Sequence, residues 1–181
     1  MKALVRYSLA VALFCSLASS FSIAQTLPID PETNKIIIQE TIEIDSISKD
    51  DLYERSMEWM TVLFKTNKFD VKDKVNYKLV HEGNFPVSFK YDFKYTSNNT
   101  VTYNLTIDLK EGKYRYTLSD FKIYDVNLSA KNSQPLEVYF QKMKTGSKAE
   151  FVTNFNSETS KIVDEMKIYM ATGKGEDKDD W

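Results

Sequence analysis

From Phe85 to Tyr124 apolar and polar residues alternate along three successive segments. Phe85, Val87, Phe89, Tyr91, Phe93 and Tyr95 take one parity, and Ser88, Lys90, Asp92 and Lys94 take the other. Successive side chains of a strand point to opposite faces, so this pattern predicts a strand with one face buried. Val101, Tyr103, Leu105, Ile107 and Leu109 alternate with Thr102, Asn104, Thr106 and Asp108 to predict a second strand. Tyr114, Tyr116 and Leu118 alternate with Lys113, Arg115 and Thr117 to predict a third. Ser97-Asn98-Asn99 and Glu111-Gly112 tolerate positive φ and are the expected turns of a hairpin meander.

Upstream, Ile36, Ile38, Ile42 and Ile44 share one face of a β-branched segment in which only Glu40 breaks the apolar row, which predicts a first strand. Ser48 followed by Asp51 forms a loose capping arrangement, so a helix is expected from about Lys49. Along it Leu52, Ser56, Trp59, Met60 and Leu63 recur at spacings of three and four, widened by Tyr53, Met57 and Phe64, with Trp59 as a core anchor. Val75, Tyr77 and Leu79 predict a short strand closed by a turn at Gly83-Asn84, with His81 just before the turn.

Past Tyr124 the period fades. Residues 127–135 read as loop; Leu136, Val138 and Phe140 fit a short strand or a packed loop; and 142–156 show no clear period. Asn156 or Ser157 is the expected cap of a second helix carrying Ile162, Val163, Met166, Tyr169 and Met170, stopped by Gly173. Residues 173–181 read as a disordered charged tail. The predicted fold class is α+β. It is a two-layer domain over residues 25–172, a mainly antiparallel sheet of about five strands with two helices on one face, in the order β-α-β-β-β-β-α.

Composition adds a compartment. Lys2 and Arg6, the apolar run Leu9 to Leu17 and the small residues ending at Ala24 have the form of a secretory signal peptide over residues 1–24, with cleavage between Ala24 and Gln25. The run is shorter than the ~20 residues of a spanning helix, so no stable membrane span is expected after cleavage. Cys15, the one cysteine, follows Phe14 where a lipoprotein signal wants a small residue, so it is read as part of the leader. The remaining 157 residues then hold no cysteine, which excludes disulfides and thiol chemistry. The leader takes two of the 24 basic residues and none of the 26 acidic ones, leaving a net charge of −4. That balance argues against nucleic acid as a partner.

The run Leu27-Pro28-Ile29-Asp30-Pro31-Glu32-Thr33-Asn34-Lys35-Ile36, the helix around Glu58-Trp59, the turn Glu82-Gly83-Asn84-Phe85 and the run Leu109-Lys110-Glu111-Gly112-Lys113-Tyr114-Arg115-Tyr116 together resemble the DUF4468 family. The resemblance spans roughly Leu27 to Met170. It implies a TATA-binding-protein-like fold and an exported bacterial protein, periplasmic or at the cell surface, and it adds no catalytic residue. The fold name does not import DNA binding, because fold does not set function.

Candidate chemistry is sparse. His81 is the only histidine and has no metal-ligand companions at a suitable spacing, so it is expected to be a surface or turn-supporting residue, and no metal, cofactor or catalytic residue is assigned. The five glycines match no phosphate-binding loop, and no serine sits in a nucleophile elbow. Carboxylates are plentiful, yet no pair is singled out; Asp50-Asp51 suits a helix start. Three Asn-X-Ser/Thr sequons, at Asn98, Asn104 and Asn127, carry no weight in a bacterial protein. Asp45-Ser46-Ile47 fits a loose O-glycosylation pattern, which makes Ser46 a candidate acceptor.

The remaining candidate is the open sheet face, represented by Lys90, Asp92, Lys94, Asn104, Lys113 and Arg115. The functional expectation is a non-enzymatic binding module of the cell envelope whose partner is an envelope protein, a peptide or a glycan. The alternatives are a hydrolase-type enzyme using carboxylates and a purely structural envelope component.

Overall fold

The computed structural model describes residues 26–45, 47–91, 94–128 and 130–173. The predicted leader with its cleavage site at Ala24 and Gln25, the candidate acceptor Ser46, the face residue Asp92 and the tail beyond Gly173 lie outside the described residues.

The elements in order are β1 (Ile38–Glu43), α1 (Lys49–Phe64), β2 (Val71–Asp73), β3 (Lys78–Lys90), β4 (Thr96–Lys110), β5 (Lys113–Asp125), β6 (Gln134–Pro135), α2 (Leu136–Lys142) and α3 (Thr145–Thr172). The sheet runs β1-β5-β4-β3-β2 with every pairing antiparallel. The two-residue β6 shares with β1 the outer edge of β5, pairing Lys122 and Ile123 where β1 pairs 113–118. The α+β class and one helix-covered face are as the alternation predicts.

The local signals act as follows. Ser48 caps α1: its hydroxyl accepts from the Asp51 amide at 3.1 Å and donates to the Asp51 carboxylate at 2.8 Å. Leu52, Tyr53, Ser56, Trp59 and Met60 are the buried face of that helix. Gly112, with φ of +65°, turns the chain between Lys110 and Lys113, which pair. One ring, Phe155 of α3, organises the core, its centroid lying 5.1 Å from Phe121, 5.7 Å from Phe85 and 6.0 Å from Phe151. Such ring pairs add about 0.5–1.5 kcal/mol each beyond burial.

Several expectations are corrected. Ser97-Asn98-Asn99 is no turn: it pairs with Val87–Phe89 inside β4, where Ser88 donates to Asn98 Oδ1 at 2.8 Å and Asn99 donates to Ser97 Oγ at 2.9 Å. The turn lies earlier, closed by the Tyr91 amide donating to the Tyr95 carbonyl, so Tyr91 and Tyr95 stand exposed rather than in the apolar row.

Gly83-Asn84 is no turn either; it continues β3. Gly83 faces Tyr103 across the pair, and a Cβ there would sit 2.5 Å from Tyr103 Cζ and 2.7 Å from a Phe64 ring carbon. The glycine makes room for an aromatic ring. The turn falls instead at Lys74–Tyr77, where the Asp73 carboxylate accepts from the Val75 and Asn76 amides, both at 2.9 Å, and Tyr77 takes φ of +53°. Val75 and Tyr77 are therefore turn residues.

Leu136, Val138 and Phe140 belong to a helix, α2, and the last helix begins at Thr145 rather than near Asn156. The buried stripe of α3 is Ser147, Phe151, Phe155, Thr159, Val163, Met166 and Met170, a regular helical spacing masked in sequence by its serine and threonine. Both are satisfied: Ser147 donates to the Lys90 carbonyl at 2.7 Å and Thr159 to the Phe155 carbonyl at 3.0 Å.

Along the outer edge of β3, α3 supplies further polar partners. Glu150 accepts from the Lys90 amide at 2.9 Å, and Asn154 donates to the Ser88 carbonyl at 2.6 Å.

Candidate binding face

Three strands of 13 to 15 residues carry the face opposite the helices. On β4 it presents Thr100, Thr102, Asn104, Thr106 and Asp108, each half-buried, between fully buried neighbours such as Val101, Leu105 and Ile107. A bulge in β5 keeps this division intact. Between the pairs Thr102↔Lys122 and Asn104↔Ser119 two residues of β5 face one of β4, and Asp120 takes φ of +52°. Its carboxylate accepts from Asn104 Nδ2 at 3.2 Å. The extra residue returns Phe121 and Ile123 to the core face that Tyr114, Tyr116 and Leu118 occupy.

At the β4–β5 turn end the face gains charge. Register places Lys78, Asp108, Arg115 and Thr41 in one row across β3, β4, β5 and β1. Arg115 donates to Asp108 at 2.8 Å, and Lys78 Nζ lies 4.0 Å from the other Asp108 oxygen. Thr41, Asp108, Lys110, Lys113 and Arg115 line an open cleft of about 220 Å³. Three cations there face one carboxylate.

The structure sorts the predicted face residues into two groups. Asn104 lies mid-face, with Lys113 and Arg115 at the cleft. Lys90 and Lys94 lie at the other end: Lys90 pairs with Thr96, twelve residues along β4 from Asp108, which at ~3.4 Å per residue is roughly 40 Å. Thr41, Lys78 and Lys110 were not singled out in sequence. The Glu111-Gly112 turn could have supplied Lys110, because a two-residue turn fixes Lys110 opposite Lys113 and Asp108 opposite Arg115.

Other chemistry-bearing side chains have local partners. His81 sits within β3, not before a turn, and is half-buried against Phe64 and Phe69, with centroids at 4.7 Å and 5.7 Å. Its Nδ1 lies 3.2 Å from Asp70 Oδ2 without the alignment of a hydrogen bond. Asp50 pairs with Lys74 at 2.7 Å and accepts from the Tyr77 hydroxyl at 2.9 Å. The Lys74 ammonium, then Tyr77, hold its carboxyl below the usual range.

Glu40 shares the apolar parity of β1 because it reaches Lys167 of α3 at 2.7 Å and accepts from the Tyr116 hydroxyl at 2.8 Å. Lys167 first, then Tyr116, lower its carboxyl. Burial pushes the Tyr103 and Tyr114 hydroxyls up and keeps both neutral. Glu158 and Glu165 line a cleft between α1 and α3 two helical turns apart, and Glu158 is paired with Lys161. Among the described residues no group of three or more His, Cys, Asp and Glu side chains is placed to hold a metal.

The family model described as a domain of unknown function (DUF4468) with TBP-like fold matches residues 39–124. Over those residues the chain is similar to that family. They run from β1 to the end of β5, the sheet itself, with its open face. A crystal structure of a DUF4468 family protein from Bacteroides ovatus is similar at a TM-score of 0.61 with 13% identity, covering 83% of this chain and 92% of that one. A crystal structure of a TBP-like protein from Parabacteroides distasonis is similar at a TM-score of 0.51 with 15% identity, covering 77% of this chain and 97% of that one. At these identities the likeness is one of fold. It extends past the DUF4468 match to take in most of the chain. No match to the chain is found among curated proteins.

Proposed function

We propose that the protein is a non-enzymatic binding module of the cell envelope, exported by its N-terminal leader, that engages a glycan, a peptide or another envelope protein through the open sheet face. The observation that carries this reading is the cleft at the β4–β5 turn, where Lys110, Lys113 and Arg115 gather around Asp108 on a face that no helix covers among the described residues. A chain of net negative charge that collects cations at one spot favours an anionic group there. The hydroxyls and amides of Thr100, Thr102, Asn104 and Thr106 extend from that spot as a row of hydrogen-bonding positions. A carboxylate-bearing sugar or acidic side chain at the cleft, with the rest of the ligand along β4, suits both features.

The test is capture from the host's envelope fraction by the immobilised protein, with the Lys113→Ala/Arg115→Ala variant in parallel. Capture is expected to fall at least about tenfold while melting changes little, because the Arg115–Asp108 pair is partly exposed and contributes no more than about 1 kcal/mol. Equal capture by both proteins overturns the reading. The intact mass of the recovered protein checks export, with Gln25 expected as its first residue.

A further inference from the structure

We propose that the cleft between the end of α1, the middle of β3 and α3 binds a small organic ammonium ion with an apolar body. Leu63 and Phe64 of α1, Phe85 and Pro86 of β3 and Ile162 of α3 supply its apolar walls, and the space between them is about 300 Å³. Leu63, Phe64 and Ile162 pack against the core but are only half-buried, so part of their apolar surface is turned to the cleft. Such walls suit the hydrocarbon part of a small ligand.

The polar groups of the cleft are acceptors in want of a donor. Tyr103 lines it while being only 2% exposed, and its hydroxyl makes no hydrogen bond among the described residues. That oxygen stands over Gly83, 2.6 Å from where a Cβ would lie, so only glycine leaves it room. Buried hydroxyls are ordinarily paired, and an unpaired one lining a cleft marks the place of a ligand's polar group. The rim of β3 adds main-chain carbonyls. On the side away from β4 the Glu82 and Lys90 amides and the Ser88 and Lys90 carbonyls are bonded, and the alternation of the strand turns the Asn84 and Pro86 carbonyls to that same side. β2 pairs with β3 only over Lys78, Leu79 and Val80, and α3 takes hold again at Ser88 and Lys90. Asn84 and Pro86 fall in the gap between, at the cleft.

Charge selects the sign of the ligand. Glu158, Lys161 and Glu165 of α3 stand on the rim. Lys161 pairs with Glu158, and Glu165 forms no ion pair among the described residues. Two carboxylates and one ammonium leave a negative excess beside apolar walls, where solvent weakens it less than in open water. An ammonium group only donates, and carbonyls, a carboxylate and a hydroxyl can all accept from it. A ligand carboxylate would meet Glu165 instead and be repelled. The cleft lies on the helix-covered side of the sheet, so it is independent of the cleft at Arg115.

The test is amide NMR of the protein titrated with phenylpropylamine, phenylpropanol and phenylpropanoate, which share one body and differ in charge. Shifts are expected around residues 63–64, 83–86, 103 and 158–165, and the amine should bind at least about tenfold tighter than the carboxylate, with the alcohol between them. Tyr103→Phe should weaken the amine about three- to tenfold and leave the midpoint of thermal unfolding where it was or higher, because no bond within the protein is lost. Glu165→Gln should bring the amine toward the affinity of the alcohol, and Lys113→Ala/Arg115→Ala should change nothing. No binding of the amine at about 10 mM, a carboxylate that binds as tightly as the amine, shifts centred elsewhere, or unchanged amine binding in Tyr103→Phe overturns the proposal.

Discussion

Gly83 shows how one residue can signal the wrong thing. Beside Asn84 it reads as a turn, but the chain uses it mid-strand because Tyr103 and Phe64 occupy the space a side chain would take. Gly83→Ala is therefore expected to cost about 1–3 kcal/mol by overpacking, read as a lower midpoint in denaturant; an unchanged midpoint would show that the two rings yield freely.

Glu40 is the reverse case, a residue whose oddity was visible while its partner was not. It interrupts an isoleucine row, and Lys167, which explains it, lies on α3 far along the chain. Its ordinary value is 4.5, and the folded value is lower. The unfolded chain therefore takes the proton first, and the contribution of Glu40 is whole above 4.5 and lost as pH falls through the folded value. Both partners are more than a third exposed, so the loss is no more than about 1 kcal/mol. Glu40→Gln should flatten the fall in stability between about pH 5 and 3; parallel curves for the two proteins would refute the assignment.

Elements were legible where one rule governs their period. β4 alternates without exception from Asn99 to Leu109, and α1 carries both its cap and its stripe. α3 was half hidden because Ser147 and Thr159 stand at core positions, their hydroxyls answered by carbonyls, so an apolar pattern alone finds only the second half of the helix. The bulge in β5 was hidden for a related reason: Ser119-Asp120 looks like a lapse in alternation, whereas it inserts one residue and restores the parity of the strand beyond it. Deleting Asp120 should turn Phe121 and Ile123 toward the open face. Those two are 1% exposed, and moving each costs about 1.5–3 kcal/mol. That is a large share of the ~5–15 kcal/mol of a typical domain. The expected result is loss of a cooperative thermal transition; a melting curve like that of the intact chain would show that register is set elsewhere.

For the whole molecule, the two-layer class followed from alternation and two amphipathic segments, and the DUF4468 match and the similar crystal structures agree with it. The arrangement of the charged positions did not follow. Lys90, Lys94, Lys113 and Arg115 share a parity in the sequence pattern, but strands this long carry them to opposite ends, so they make no single patch.

The side of β3 that faces away from β4 has a further consequence. Pro86 removes an amide there, Asp70 answers the Glu82 amide, and Ser147, Glu150 and Asn154 answer Ser88 and Lys90. Several of the backbone groups that would otherwise recruit a foreign strand are occupied. In a crowded solution a foreign strand therefore finds the ladder on this long rim interrupted at Glu82, Pro86, Ser88 and Lys90, which disfavours lengthening the sheet from that side.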